Sequence, residues 1–158
     1  GSTGAAFTGG KGTYTVEFEP GATLLEQENA GYVVASLGVD SGYVPYTAFS
    51  AKKSYMEKHP DIIQAFTDAL QQGMEYVNTH TPEEIADSIQ TQFSETDTAT
   101  ITTIIRRYQE QDTWKRDLVF SEDSFTLLLD ILESAGQLEK RPDYQEIVTT
   151  EYAKKALQ

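Results

Sequence analysis

Hydrophobic and polar residues alternate early in the chain, and this period of two predicts a β-strand over residues 14–19. The alternation sets Tyr14, Val16 and Phe18 against Thr15, Glu17 and Glu19. Residues 32–37 form a continuous apolar run of strand length, and a third strand is predicted over residues 44–51. The first part of the chain therefore predicts three strands.

Later apolar residues recur at spacings of three and four, which predicts amphipathic helices. A short helix from Pro20 to about residue 29 separates the first two strands. The later helix starts are predicted at His59-Pro60-Asp61, the capping box Thr81–Glu84, Thr96-Asp97, Ser121 and Thr149, with Gly136 closing the Ser121 helix. The predicted class is α/β, with about three strands followed by about five helices.

The composition excludes several classes of partner and chemistry but does not identify the function. The 158 residues carry a formal net charge of -13, which argues against nucleic acid and against an anionic membrane surface as partners. The chain has no cysteine, so disulfides, thiolate catalysis and cysteine-ligated metals are excluded. His59 and His80 lack metal-ligand spacing, and no nucleophile motif is present. We therefore predict no metal, no cofactor and no enzymatic activity.

The best candidate binding residues are Phe18 and Glu19, at the carboxyl end of the first predicted strand. A ring there would supply apolar area, and a carboxylate would accept hydrogen bonds from an amine. Tyr43 and Tyr46 could line a ligand pocket or pack in a core, and the sequence favours neither. For the neighbouring acidic residues, the alternative to ligand binding is a charged surface exposed to solvent. No arginine is expected near this site, which favours a cationic or amino-heterocyclic solute over a sulfonate or nitrate.

Several stretches together resemble one protein family. They are residues 6–20 (AFTGGKGTYTVEFEP), residues 31–38 (GYVVASLG), residues 44–55 (VPYTAFSAKKSY) and residues 58–66 (KHPDIIQAF). In the tail they are Tyr108 with Trp114, and residues 139–141 (EKR) with Tyr144. In this order they resemble the solute-binding proteins of bacterial ABC importers. The most similar branch captures thiamine precursors, taurine, alkanesulfonates and nitrate.

The resemblance implies a type II periplasmic-binding-protein fold, in which two α/β lobes bind a small-molecule solute in a cleft. The chain would be a fragment, its C-terminal half. Residues 1–43 would end the second lobe, and residues 44–158 would form the hinge crossing and the C-terminal helical part of the first lobe. Thr8, Gly9 and Gly10 would border the cleft, and Tyr43 and Tyr46 would lie near the hinge. The implied location is extracytoplasmic, in the periplasm or lipid-anchored, and the implied partner is an ABC importer membrane permease.

Two other functions remain open. The chain could be the ligand-sensing domain of a regulator or receptor with the same fold. It could instead be a helical protein-interaction module, which a lack of strand pairing at residues 14–19 and 32–37 would favour. Half of a two-lobe protein would also leave strand edges uncovered, so a homodimer or strand exchange is expected. The alternative is a self-contained monomer whose helices close over the three strands.

Overall fold

A computed structural model describes residues 2–158, and the regular structure in this range is helical. The α-helices are α1 (Ser2–Thr8), α2 (Gly21–Gln27), α3 (Leu37–Asp40), α4 (Lys53–Lys58), α5 (Pro60–Thr79), α6 (Pro82–Ile89), α7 (Thr98–Glu110), α8 (Glu122–Ser134), α9 (Tyr144–Ile147) and α10 (Glu151–Ala156). A short 3-10 helix (Gln90–Gln92) follows α6. Within residues 2–158 no helix is both long enough and apolar enough to cross a membrane.

The predicted α/β class, a fragment of a two-lobe fold with three strands, is wrong for this structure. None of the segments 14–19, 32–37 and 44–51 pairs with another segment in the described part of the chain. Residue 37 instead begins α3. Alternation along one segment reports only which side chains share a face, whereas a strand also needs a partner to satisfy its backbone groups. No such partner is supplied among residues 2–158.

The predicted helix starts are confirmed to within two residues, and three of them carry a side-chain cap. Thr81 and Glu84 form a reciprocal capping box, in which the Glu84 amide donates to Thr81 Oγ1 and the Thr81 amide donates to Glu84 Oε2. Asp97 and Ser121 cap α7 and α8 through their side chains, and α5 begins at Pro60. Hydrogen bonds from the Thr81 amide and hydroxyl lower the pKa of Glu84 below its usual value.

Four helices among the described residues end on a residue with positive φ, at Gly10, Asn29, Asp112 and Gly136. In each case the residue after it donates its amide to a carbonyl five positions back, as from Lys11 to Ala6 at 2.8 Å. This is the Schellman arrangement, which satisfies carbonyls that the helix end leaves unbonded. The predicted stop at Gly136 is confirmed.

Packing divides the chain into two compact units. Unit 1 combines the chain up to Leu37 with His80–Thr113, and unit 2 combines Gly38–Thr79 with Trp114–Gln158. The two units are defined by contacts within the helical structure. They do not test the lobe boundary predicted after residue 43, which stays a prediction. The core of unit 1 lies where α6 packs on α7, and its buried side chains are Ile85, Ala86, Ile101 and Ile105.

Unit 2 has its own core, made by α8 and by α5 packed on α10. Phe125 and Leu129 of α8 are buried, and the rings of Phe125 and Tyr144 meet edge to face at 5.5 Å. Gln64 of α5 donates to the carbonyl of Tyr152 at 3.1 Å, which ties α5 to α10.

Candidate functional site

The structure divides the predicted site residues between the two units. Thr8, Gly9, Gly10, Phe18 and Glu19 belong to unit 1, whereas Tyr43 and Tyr46 belong to unit 2. Thr8 is the last residue of α1, and Gly9 and Gly10 form its C-terminal turn. The phenyl ring of Phe18 and the rings of Tyr43 and Tyr46 are exposed. Contact of these residues with a ligand stays a prediction.

Glu19 is engaged within unit 1. Its Oε1 lies 2.5 Å from Nη1 of Arg107, and its Oε2 accepts the amide of Thr23 in α2 at 3.0 Å. Only 6% of the Glu19 side chain is exposed. The expectation that no arginine lies near this carboxylate is therefore wrong, because the fold brings α7 against residues that are distant in sequence.

Arg107 also binds a second carboxylate. Its Nη2 lies 2.5 Å from Oε2 of Glu26, and its Nη1 donates to Thr23 Oγ1 at 3.2 Å. We call Glu19, Thr23, Glu26 and Arg107 the Arg107 cluster. Burial disfavours the charged guanidinium, but the hydrogen bonds and charges of Glu26 and Glu19 outweigh it and raise the pKa of Arg107. One cation with two carboxylates leaves the cluster with one net negative charge.

The second oxygen of Glu26 extends the cluster to the segment after α2. Glu26 Oε1 accepts the amide of Val33 at 2.9 Å. This hydrogen bond, followed by the one from Arg107, lowers the pKa of Glu26 below its usual 4.5. The carboxylate thus stays ionised while it fixes the backbone near Val33.

Tyr108 lies beside the cluster on α7. Burial, followed by the negative charge of Glu19, raises the pKa of the Tyr108 hydroxyl. The hydroxyl therefore stays protonated at neutral pH next to the Glu19 backbone, with which it interacts.

The sequence analysis did not identify Arg107 and Glu26 as site residues, although the pattern of polar residues along α7 gave one indication. Thr100 and Arg107 are seven positions apart and share a face of α7, and Thr100 is buried. Polar residues on a buried helix face need polar partners. Thr100 Oγ1 accepts from Gln27 Nε2 at 2.8 Å, so both residues hold α2 on α7.

Beside the cluster, an apolar stripe faces solvent. Tyr14, Val16 and Phe18 are 79%, 62% and 64% exposed, whereas Thr15 and Glu17 between them are half-buried. We call these three exposed residues the outer stripe. The alternation has the period of a strand, but its apolar side points outward, opposite to a strand that covers a core.

Unit 2 carries a shallow depression of about 260 Å³ at the start of α8. Its lining includes Glu122, Phe125, Thr126, Leu129, Arg141 and Tyr144. Arg141 is paired with Asp130 at 2.6 Å and Glu133 at 2.5 Å, and Tyr144 donates its hydroxyl to the carbonyl of Phe120. The arginine charge is therefore already matched by two carboxylates.

Residues 2–158 contain no group of three or more histidine, aspartate or glutamate side chains that could hold a metal ion. His59 lies against the ring of Tyr55, with 4.5 Å between the ring centroids.

Comparison with known proteins gives one informative likeness. No protein-family model matches the chain, and no solved structure matches it. The chain is 39% identical over 150 residues to a protein of Bacillus subtilis (strain 168) described as "Putative binding protein YtlA". The match covers 95% of this chain and 45% of that relative, so the chain spans less than half of the relative's length. The chain is thus similar, over almost its whole length, to a protein described as a binding protein.

Proposed function

We propose that this chain is part of an extracytoplasmic solute-binding protein, which captures a small molecule and passes it to the permease of an ABC importer. The observation that carries the proposal is the 39% identity to a protein described as a binding protein. The permease and the extracytoplasmic location rest on the resemblance of residues 6–20, 31–38 and 44–66 to importer-associated binding proteins.

The proposed solute contact in unit 1 is the ring of Phe18, which precedes Glu19 of the Arg107 cluster in the chain. Phe18 offers open apolar area. Glu19 has both oxygens engaged, by Arg107 and by Thr23, so its proposed role is to position Phe18 and to contribute negative charge. Tyr43 and Tyr46 of unit 2 are proposed contacts of the same aromatic kind.

Charge favours a cationic or amino-heterocyclic solute. Arg107 is matched by two carboxylates and offers no free cation to an anion. The net charge of -13 also attracts cations to the chain. Thiamine, a cation with an aminopyrimidine ring, is the appropriate probe, and taurine and nitrate are the contrasting probes.

Isothermal titration calorimetry of the 158-residue chain with these three probes tests the proposal. We expect heat of binding with thiamine and none with nitrate or taurine. Phe18→Ala should weaken thiamine binding by about fivefold or more, since a stacked aromatic contributes roughly 1 kcal/mol. Phe93→Ala, which removes another exposed ring of unit 1, is the matched control and should bind as the parent does. Tighter binding of nitrate than of thiamine, or an equal loss in both variants, would contradict the proposal.

A helical protein-interaction module is the second candidate. The observation that favours it is the lack of strand pairing at residues 14–19 and 32–37 together with exposed apolar side chains there. This candidate predicts no heat with any of the three probes.

A further inference from the structure

The outer stripe is held with its apolar side outward by contacts on its inward side. Thr15 Oγ1 donates to Glu17 Oε1 at 3.2 Å. The Glu17 carboxylate lies between two glycines, since a Cβ at Gly4 would stand 3.2 Å from its Oε1 and one at Gly21 would stand 3.3 Å from its Oε2. Glu17 thus fixes which face of residues 14–18 turns toward unit 1, and Tyr14 and Val16 must face away.

The backbone of this segment is also open. Within residues 2–158, the amides and carbonyls of residues 14–17 make no hydrogen bond. Open backbone groups beside an exposed apolar row are the features that invite another strand to pair.

The sequence of the segment is self-complementary about Val16. Residues 14–18 read Tyr-Thr-Val-Glu-Phe. In an antiparallel pair of two such segments centred on Val16, Tyr14 of one faces Phe18 of the other, and Glu17 of one faces Thr15 of the other. Aromatic cross-strand pairs are favourable, and no carboxylate faces another.

We propose that the outer stripe is a pairing surface for a second copy of this chain, which adds its own residues 14–18 as an antiparallel strand around a two-fold axis. A two-fold interface uses the same patch twice, which the symmetry of the segment about Val16 satisfies. The rest of the chain opposes the contact, because each copy carries a net charge of -13. Added salt should therefore strengthen the dimer.

The proposed interface is small. Two aromatic side chains from each copy bury at most roughly 600 to 1,000 Å² in total, below the 1,200 Å² or more typical of stable complexes. The dimer should therefore be weak and depend on concentration. Because Phe18 is also a proposed solute contact, solute and second copy should exclude one another.

Disulfide trapping tests the register, since the chain contains no cysteine of its own. In the proposed pair the two Val16 Cα atoms lie about 4.5 to 5.5 Å apart, within reach of a disulfide. The two Tyr14 Cα atoms lie roughly 13 Å apart, outside that reach. Val16→Cys should form a covalent dimer under mild oxidation roughly tenfold faster than Tyr14→Cys.

Val34→Cys is the matched control, a valine of unit 1 that is 76% exposed and lies outside the proposed pair. Equal rates for Val16→Cys, Tyr14→Cys and Val34→Cys would overturn the register. Failure of Val16→Cys to cross-link, with circular dichroism like the parent's, would overturn the proposal and leave the stripe for a different strand. The outcome is independent of the solute titration, because trapping is done without thiamine.

Sedimentation velocity gives a second reading that needs no cysteine. We expect the weight-average mass of the parent chain to rise with concentration, and Val16→Lys to remain monomeric because two like charges would face each other. Val34→Lys makes the same change in charge and should associate as the parent does. A parent chain that stays monomeric at every concentration and salt level would overturn the proposal.

Discussion

Arg107 Nη1 lies 2.5 Å from Glu19 Oε1, although 88 positions separate the two residues. The contact joins α7 to the end of the segment that carries the outer stripe. Glu26, bound to the other end of the same guanidinium, joins α7 to α2. Arg107 therefore helps to hold the chain next to Phe18 in unit 1.

Replacing that arginine should destabilise the chain. In Arg107→Met the Glu19 carboxylate would stay buried without its cation, so we expect the free energy of unfolding to fall by about 2–3 kcal/mol. Urea denaturation followed by far-ultraviolet circular dichroism measures this. Arg106→Met is the matched control, because Arg106 and Glu83 form an exposed ion pair and its loss should cost under about 1 kcal/mol. Equal losses in the two variants would contradict a structural role for the Arg107 cluster.

Lowering the pH should reduce the stability of unit 1, because Glu26 becomes protonated. The pKa of Glu26 is lowered in the folded chain by the Val33 amide and then by Arg107, so the unfolded chain binds its proton more readily. The contribution of Glu26 is therefore complete above its ordinary pKa of 4.5 and is lost as pH falls through the lower, folded pKa.

The measurement is the free energy of unfolding between about pH 6 and pH 3, and Glu26→Gln should flatten its decline. Glu84 and Asp97 also have lowered pKa values, so a residual decline is expected. Glu28→Gln, at an exposed position just after α2, is the control that makes the same change in charge outside the Arg107 cluster. The same decline in Glu26→Gln as in the parent would count against the account of this carboxylate.

Substitution of glycine by alanine should have opposite effects on the free energy of unfolding at two positions. A Cβ at Gly31 would stand 2.9 Å from Phe7 Cε1, so Gly31→Ala should lower the free energy of unfolding by about 1–3 kcal/mol. Gly73 lies inside α5, and a Cβ added there would meet nothing within 4 Å, so Gly73→Ala should raise it by about 0.5–1 kcal/mol. Thermal melts of both variants provide the comparison, and a stabilised Gly31→Ala would show that Phe7 does not pack there.

The helix boundaries could be predicted because their causes are local. Thr81 and Glu84 are three positions apart, and Gly136 needs only its own helix to act as a stop. The three strands could not be judged in the same way. Alternation at Tyr14, Val16 and Phe18 describes one segment, whereas a strand depends on a partner elsewhere.

In the candidate site, too, local sequence indicated some residues but not their distant partners. Sequence position indicated Phe18 and Glu19, and both are described in unit 1, with the Phe18 ring exposed. The partner of Glu19 could not be read from the sequence, because Arg107 lies on a helix formed 88 positions later. Long-range ion pairs have no signature in spacing along the chain.

Amide hydrogen exchange of residues 14–17 tests most directly the central claim, that the outer stripe is an open binding surface. In the dilute 158-residue chain we expect these amides to exchange nearly as fast as unstructured ones, since they make no hydrogen bond within residues 2–158. Their exchange should slow as protein concentration rises, when a second copy pairs with them. Strong protection already present at the lowest concentration, or exchange that concentration does not change, would contradict the account.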